Sequence, residues 1–494
     1  MKVLFIYSIQ KSVTFSKPLA GQEGMQFGIS SISSVLKQNN HSTNLLILDR
    51  KHGRKNLKLL TNTINELTPD LICFTSVHSE FDFISEIAKY IKLNFPKIPL
   101  IGGGVHITLN PSDELLEIFD CICIGEGEYP VLEYIECLEK GNSAKEVQNI
   151  WIKENGSIYK NAVRSFIPNL DTLPFPDRDI WQRWILEPQT RLTVLLGRGC
   201  PYNCTYCCNH KLRKVANGDY VRLRSTENIL MEIEMLHEKF PEIHEYFLEV
   251  ETIGCNLVWL FDLCQKLQKF NLSQVNKLRF STNLRIFQNM DFESVFQNLK
   301  LANFESVIIG LESGNERVRK EILNRIYSNE NILQAVKVAR KYEIKIGIFN
   351  MVGIPTETQN DFNDTIKMNQ VIKPDWHSTS IFFPYKGTKL YEITNEMGLL
   401  PKILNTKSER QKAVLNLPGF TNKQIQRSFD SFHYEVYKVN ENKKKLKLLV
   451  YFIMKYVGHN TFANIKLKLI SILYYWRLYN LVKKLKLIGV FQKA

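Results

Sequence analysis

The stretch GRGCPYNCTYCCNH, Gly197 to His210, places four thiols within fourteen residues: Cys200, Cys204, Cys207 and Cys208. Thiolates are soft ligands, and cysteines separated by three and two residues on one loop can meet at a common metal centre. A closed zinc site would take Cys200, Cys204 and Cys207, with His210 as fourth donor. Structural zinc sites are more often built from two separated pairs, and the sequence holds no second CxxC. A four-iron cubane fits better, because one loop can hold three of its corners. The remaining iron then has no protein ligand, and an open coordination position is where a substrate or cofactor binds. Cys208 points away from Cys207 in any ordinary backbone and reads as a packed thiol.

Such a loop needs a rigid base. From about Arg191 to Glu392, six strand-like runs alternate with helical stretches: RLTVLLG, EYFLEV, KLRFSTN, SVIIGLES, IKIGIFNMVG and HSTSIFFPY. This predicts a partial (β/α) barrel, with the cysteine loop at the carboxyl end of its first strand, where barrels carry their chemistry. Ahead of it, KVLFIY, NLLILD, DLICFTS, IPLIGGG and CICIGEGE read as strands buried on both faces. They predict a doubly wound α/β domain with a parallel sheet. Ligands bind such sheets beyond the carboxyl ends of the strands. Gly102, Gly103, Gly104, Gly125 and Gly127 fall at those ends, and glycine lets a backbone approach a bulky ligand closely. The expected organisation is a doubly wound domain over 1–150, a linker over 151–190 containing the proline-rich NLDTLPFPDRDIW, a partial barrel over 191–400, and a basic helical region over 401–494.

CxxxCxxC with an aromatic residue, Tyr206, before its last cysteine resembles the cluster loop of the radical S-adenosylmethionine (SAM) family. The resemblance implies a 4Fe-4S cluster on Cys200, Cys204 and Cys207, SAM bound to the open iron, and cleavage of SAM to a 5′-deoxyadenosyl radical. A radical of that reactivity must be made away from water and stray bonds. In FLEVET, Glu249 and Glu251 are two apart and are expected on one face. One of them resembles the acid that accepts from the SAM ammonium group, and the sequence does not choose between them. IGLESGNERVRKEILNR resembles the stretch in which Glu312 and Arg325 contact the SAM ribose and carboxylate, the latter suited to the forked donors of arginine. NMVGIPTET, around Gly353, resembles the strand that passes the adenine. The amino-terminal runs, with GGGVHITLNPSDELLEIFDCICIGEGE, are similar to the cobalamin-binding domain of one subgroup. That subgroup includes radical SAM methyltransferases and the anaerobic magnesium-protoporphyrin ester cyclases. It implies cobalamin as a cofactor, lined by Phe74 to Ser76, Gly102 to His106, and Gly125, Glu126, Gly127 and Glu128. The DxHxxG signature of many cobalamin proteins is absent, since Asp49 and His52 have the wrong spacing. His106 is read as a hydrogen-bonding or packing residue rather than a cobalt ligand.

With 494 residues, 44% hydrophobic and 23% charged, the chain has ample apolar material for cores. Ten cysteines are too sparse for a disulfide scaffold, and the crowded thiols suit a reducing cytoplasm. MKVLFIYSIQ lacks the pattern of a signal peptide, and no apolar run reaches the roughly 18 residues of a membrane span. Of the net charge of +14, +11 falls between Glu441 and Ala494. The helices expected there, Lys443–Val457 and Phe462–Ile488, read first as a cap on the barrel. The second reading is a peripheral contact with the anionic inner face of a membrane. Nucleic acid is disfavoured, because no RNA-binding module is legible. The expected function is a cobalamin-dependent methyltransferase of the radical SAM kind. It would act on an unactivated carbon of a small or lipid-like metabolite, with electrons from a flavodoxin- or ferredoxin-like donor. The alternatives are a cyclase or rearrangement enzyme without methyl transfer, a tRNA methylthiotransferase, and a non-catalytic corrinoid or redox sensor. The methylthiotransferase needs a second three-cysteine cluster, which Cys73, Cys121 and Cys123 do not clearly supply.

Overall fold

KVLFIYSI is buried at four successive residues, Val3 to Ile6, the pattern of a strand covered on both faces. The computed structural model describes residues 1–187, 189–439, 445–458, 461–465 and 468. They divide into two compact units: Met1–Gln189 with Gly197–Gly199 and Cys208–Arg224, and Thr190–Leu196 with Cys200–Cys207 and Ser225–Ala494.

In the first unit, β1 (Lys2–Ile9), β2 (Ser42–Asp49), β3 (Leu71–Thr75), β4 (Leu100–Gly103) and β5 (Cys121–Cys123) form a parallel sheet in the order β2-β1-β3-β4-β5. These are the five runs expected from the sequence. The chain leaves β1 toward β2 on one side and returns to β3 on the other, so a topological switch point opens beyond the carboxyl ends of β1 and β3. Two antiparallel strands, β6 (Ile150–Glu154) and β7 (Ser157–Lys160), extend the sheet from β5. They lie where the sequence suggested a linker. The rest of that stretch is built into the unit as well. Trp181 is fully buried, and its indole N–H donates to Ser30 Oγ at 2.8 Å. Asp177 accepts from Ser33 Oγ at 2.6 Å and pairs with Lys37 at 2.7 Å. The prolines set an irregular path, and side chains from helix Phe27–Gln38 hold it in place.

Beyond this stretch come β8 (Arg191–Leu195) and the short antiparallel pair β9 (Gly197–Arg198) and β10 (Arg222–Leu223). In the second unit, β8 is joined by β11 (Glu245–Glu249), β12 (Arg279–Leu284), β13 (Phe304–Glu312), β14 (Lys345–Val352) and β15 (Trp376–Ile381). All six run parallel in the order β8-β11-β12-β13-β14-β15, the partial barrel expected from the sequence. Parallel pairing brings six carboxyl ends to one edge, and helices between them cover the apolar faces.

Helix Asn422–Tyr437, opened by a Thr421–Gln424 capping box, and helix Lys445–Val457 complete the described second unit. Phe420, Phe429, Phe432, Tyr437 and Tyr451 pack into a core with Val352 and Phe362. The second tail helix expected over Phe462–Ile488 lies largely outside the described residues. Among the described residues, no helix is long and apolar enough to cross a membrane.

Candidate active site

The cysteine loop leaves the carboxyl end of β8, and the barrel grips it between its thiols. Thr205 Oγ1 donates to Ile322 O at 2.6 Å, and the Thr205 amide donates to Leu323 O at 3.3 Å. The Leu390 amide donates to Thr205 O at 2.8 Å, and Asn324 Nδ2 to Asn203 O at 2.9 Å. A turn closes from the Cys207 amide to Cys204 O at 3.1 Å. Cys200 and Cys204 are buried and Cys207 is half-buried. Burial pushes the Cys200 thiol up to about 11, with the Tyr202 amide and Arg285 opposing and Glu251 adding to the rise. Cys208 instead caps the short helix Asn209–Leu212, its carbonyl accepting from the Lys211 and Leu212 amides.

Tyr206, Glu312 and Arg325 form one buried network. The Tyr206 hydroxyl donates to Glu312 Oε1 at 3.1 Å and accepts from Arg325 Nη1 at 2.8 Å. Arg325 Nη1 also reaches Glu312 Oε1 at 3.2 Å, Nη2 reaches Gly310 O at 2.8 Å, and Nε reaches the Tyr327 hydroxyl at 2.6 Å. Glu312 closes β13 at a register shift with φ of 61°, a left-handed conformation unusual for a side chain of this size. Arg325 was expected to meet the SAM carboxylate, but every one of its nitrogens is bonded within the protein. The sequence does not show that Arg325 meets Tyr206, 119 positions earlier, nor that Tyr327 joins them.

Glu249 is the last residue of β11, whereas Glu251 lies past the strand end and is exposed, so the two do not share a strand face. Burial, then the charge of Glu251, pushes the Glu249 carboxyl up to about 7, with Arg191 opposing. Just past β12 stands Arg285, which the sequence reading missed. Its Nη1 lies 2.7 Å from Cys204 Sγ, and its guanidinium carbon lies 3.7 Å from the centre of the Tyr202 ring. Its place just past β12, like those of Glu249 and Glu312 at the ends of β11 and β13, is the signal that could have singled it out. Past β14, Gly353 has φ of 79°, and a Cβ there would lie 2.9 Å from Ile425. Its amide and that of Ile354 donate to the buried Glu357 Oε2, at 2.7 and 3.3 Å.

At the switch point of the first unit, Gln10 follows β1 and Ser76 follows β3. The Ser76 amide donates to Gly103 O, and Ser76 O accepts from the His106 amide, both at 3.1 Å. Gly104 takes φ of 93°, and a Cβ there would press within 2.8 Å of the Ser76 backbone. At Gly103 such an atom would sit in ordinary van der Waals contact, its nearest neighbour Cys123 O at 3.7 Å. The space beside Gly102 is taken by Phe119 and Ile107, and that beside Gly127 by Ile32; Gly125 makes a turn at φ of 87°. His106 Nδ1 lies 3.4 Å from Nδ1 of His78, and its ring centre is 4.3 Å from that of Phe81. Glu126, expected to line the corrin, turns instead to Arg198 and Arg222. Cys73, Cys121 and Cys123 lie inside β3 and β5, where burial raises all three thiols.

A mononuclear metal needs its donors around one point, and among the described residues no three His, Cys, Asp or Glu side chains are so arranged. A cubane spreads three thiolates over three irons, so its donors stand farther apart than around a single ion, and the anchored loop supplies the three it needs. Two buried donors without acceptors fit further guests: Arg285 Nε beside the loop and Gln10 Nε2 at the switch point.

Residues 194–368 match the Radical SAM superfamily, and residues 19–135 match the B12 binding domain. An uncharacterized methyltransferase of Pyrococcus horikoshii is 26% identical over 433 residues, 86% of this chain and 90% of that protein. The anaerobic magnesium-protoporphyrin IX monomethyl ester cyclase of Cereibacter sphaeroides is 23% identical over 67% of this chain and 54% of its own length. The solved structure of OxsB, a cobalamin-dependent S-adenosylmethionine radical enzyme, is similar in fold, with a TM-score of 0.67 and 16% identity. The likeness spans 97% of this chain and 75% of OxsB.

Proposed function

We infer that this chain, which is a radical SAM enzyme with a cobalamin-binding domain, methylates an unactivated carbon of a small molecule. The observation that carries the reading is the grip of the barrel on Thr205 and Tyr206 within the cysteine loop, in a chain that also presents a B12-type switch point. Its likeness to a methyltransferase over 90% of that relative's length supports methyl transfer.

When bound, the 4Fe-4S cluster, SAM and cobalamin supply an electron, a hydrogen-abstracting radical and a transferable methyl group. Cys200, Cys204 and Cys207 would hold the cluster. Tyr206, Glu312 and Arg325 fix the loop against β13. Glu249, half-buried at a strand end, is suited to accept from the SAM ammonium group, whose charge would offset its raised pKa. Gly353 carries the chain past the end of β14 in a conformation closed to most residues. In the first unit Ser76, Gly103, Gly104 and His106 are the residues on which a corrin would rest. A flavodoxin- or ferredoxin-like protein would deliver the electron.

Likeness to the cyclase favours a second reading, in which ring formation or rearrangement proceeds without methyl transfer. Anaerobic reconstitution with iron and cobalt analysis, followed by product mass, separates the two. The expected result is about four irons per chain, cobalamin retained, and a product heavier by one methyl group. A product of unchanged carbon count favours the second reading. Cys204→Ala is expected to abolish 5′-deoxyadenosine formation, and undiminished formation overturns the assignment.

A further inference from the structure

We propose that helix Lys445–Val457 carries an outward apolar face that seats the second unit on an anionic bilayer surface. This surface role is independent of the radical chemistry inferred above.

The helix has two apolar sides. Val450, Tyr451 and Met454 are buried, and the Tyr451 ring centre lies 5.2 Å from those of both His433 and Tyr437 on helix Asn422–Tyr437. The other side is made by Leu449, Phe452, Ile453, Tyr456 and Val457, at the i, i+3, i+4, i+7, i+8 spacing that lines one helix face. These five side chains are between 41% and 70% exposed. A helix at the surface of a globular protein puts polar and charged residues there. From Leu448 to Val457 the sequence has one charged residue, Lys455, and it is paired with Glu435 at 2.9 Å. Because the buried side belongs to the core that holds Val352 and Phe362, the outward side is ordered before it meets a partner.

Charge selects the occupant. Lys443, Lys444, Lys445 and Lys447 precede this face in sequence, and Lys466 and Lys468 follow it. Over 441–494, twelve Lys or Arg stand against one acid, Glu441, a net charge of +11. A second copy of the chain would bring two such segments together, and the rest of the tail laid over the face would set lysines against lysines. Anionic headgroups neutralise them instead, while the apolar side sinks into the boundary between headgroups and acyl chains. Tyr456, 70% exposed with its ring 4.9 Å from that of Phe452, is the kind of side chain that settles at headgroup level.

The test is cosedimentation of the full-length protein with vesicles of phosphatidylcholine alone and of phosphatidylcholine mixed with phosphatidylglycerol, at low and high salt. Wild-type protein is expected to bind the mixed vesicles roughly tenfold or more tightly than the neutral ones, and added salt is expected to erase that preference. Leu449→Gln, Ile453→Gln and Tyr456→Gln combined keep the charge and the helix propensity, and are expected to weaken binding to mixed vesicles roughly tenfold or more. Leu272→Gln, 73% exposed on helix Leu257–Leu272, is expected to change nothing. If the triple variant does not fold, Tyr456→Gln alone, at the most exposed of the five positions, carries the decision with an expected loss of a few-fold. No binding to either vesicle, equal binding to both, unchanged binding of the variant, or an equal loss in Leu272→Gln overturns the proposal. A wild-type dimer that the triple variant converts to monomer gives the face to a second copy and overturns it as well.

Discussion

Glu126→Gln removes the only carboxylate bonded to Arg222 and one of the two bonded to Arg198 among the described residues. Oε1 accepts from Arg198 at 2.8 Å and Arg222 at 3.0 Å; Oε2 accepts from Arg222 at 3.0 Å and from the Ile167 amide at 2.8 Å. The Arg222 side chain is only 5% exposed and would keep a neutral amide oxygen, Ile167 O at 2.7 Å and the Phe166 ring, but no charged partner, with an NH2 group set against its own N–H groups and the Ile167 amide. Breaking a buried pair by removing one partner costs roughly 3–5 kcal/mol. Arg198 keeps Glu128 at 2.6 Å, so the lower end applies, about 3 kcal/mol. For a unit of this size that lowers Tm by about 6–12 °C. Thermal unfolding followed by tryptophan fluorescence reads it, since Trp151, Trp181 and Trp184 lie in the same unit. The pH dependence gives a second check. Burial raises the Glu126 pKa, but the bonds and charges of Arg222 and Arg198 and the Ile167 amide outweigh it, and the folded value lies below the usual carboxylate range. A depressed folded pKa means stabilisation that is full above the ordinary carboxylate pKa and is lost as pH falls through the folded value. The gap between wild type and variant should hold through neutral and mildly acidic pH and close only in acid. A variant as stable as wild type, or a gap that closes near neutrality, would refute the reasoning.

Gly353→Ala combines a left-handed φ with a 2.9 Å approach to Ile425, and is expected to cost about 1–3 kcal/mol in denaturant unfolding. Ile425→Ala should relieve the contact but not the dihedral, so a double-mutant cycle should show Gly353→Ala costing less in the Ile425→Ala background but still destabilising. Glu357 is fully buried, and burial pushes its carboxyl up to about 8 against the Gly353 and Ile354 amides. Its raised folded pKa contributes stability at acid pH that is lost as pH rises through about 8, so Glu357→Gln should flatten the fall in Tm between mildly acidic and mildly alkaline pH.

The strands were legible because a segment covered on both faces must be apolar throughout, and β1, β3 and β5 declare this without reference to any partner. The cysteine loop was legible for a similar reason, since its chemistry is local in sequence. Partner choice over long separations was not. Glu126 meets Arg222 across 96 residues, and Arg285 meets Cys204 across 81. Nothing in the neighbourhood of either residue records these pairings, so Glu126 read as a ligand contact and Arg285 passed unnoticed. The stretch holding β6, β7 and Trp181 was misread because proline and polar residues mark an irregular path whether or not it is packed.

The barrel clasps Thr205 and Tyr206, the two residues between Cys204 and Cys207, through bonds that involve neither sulfur nor metal. The mould therefore sets before the mineral is poured. The path of the loop between its thiols is written in polypeptide bonds, so the inorganic core is not the only thing that holds it to the barrel.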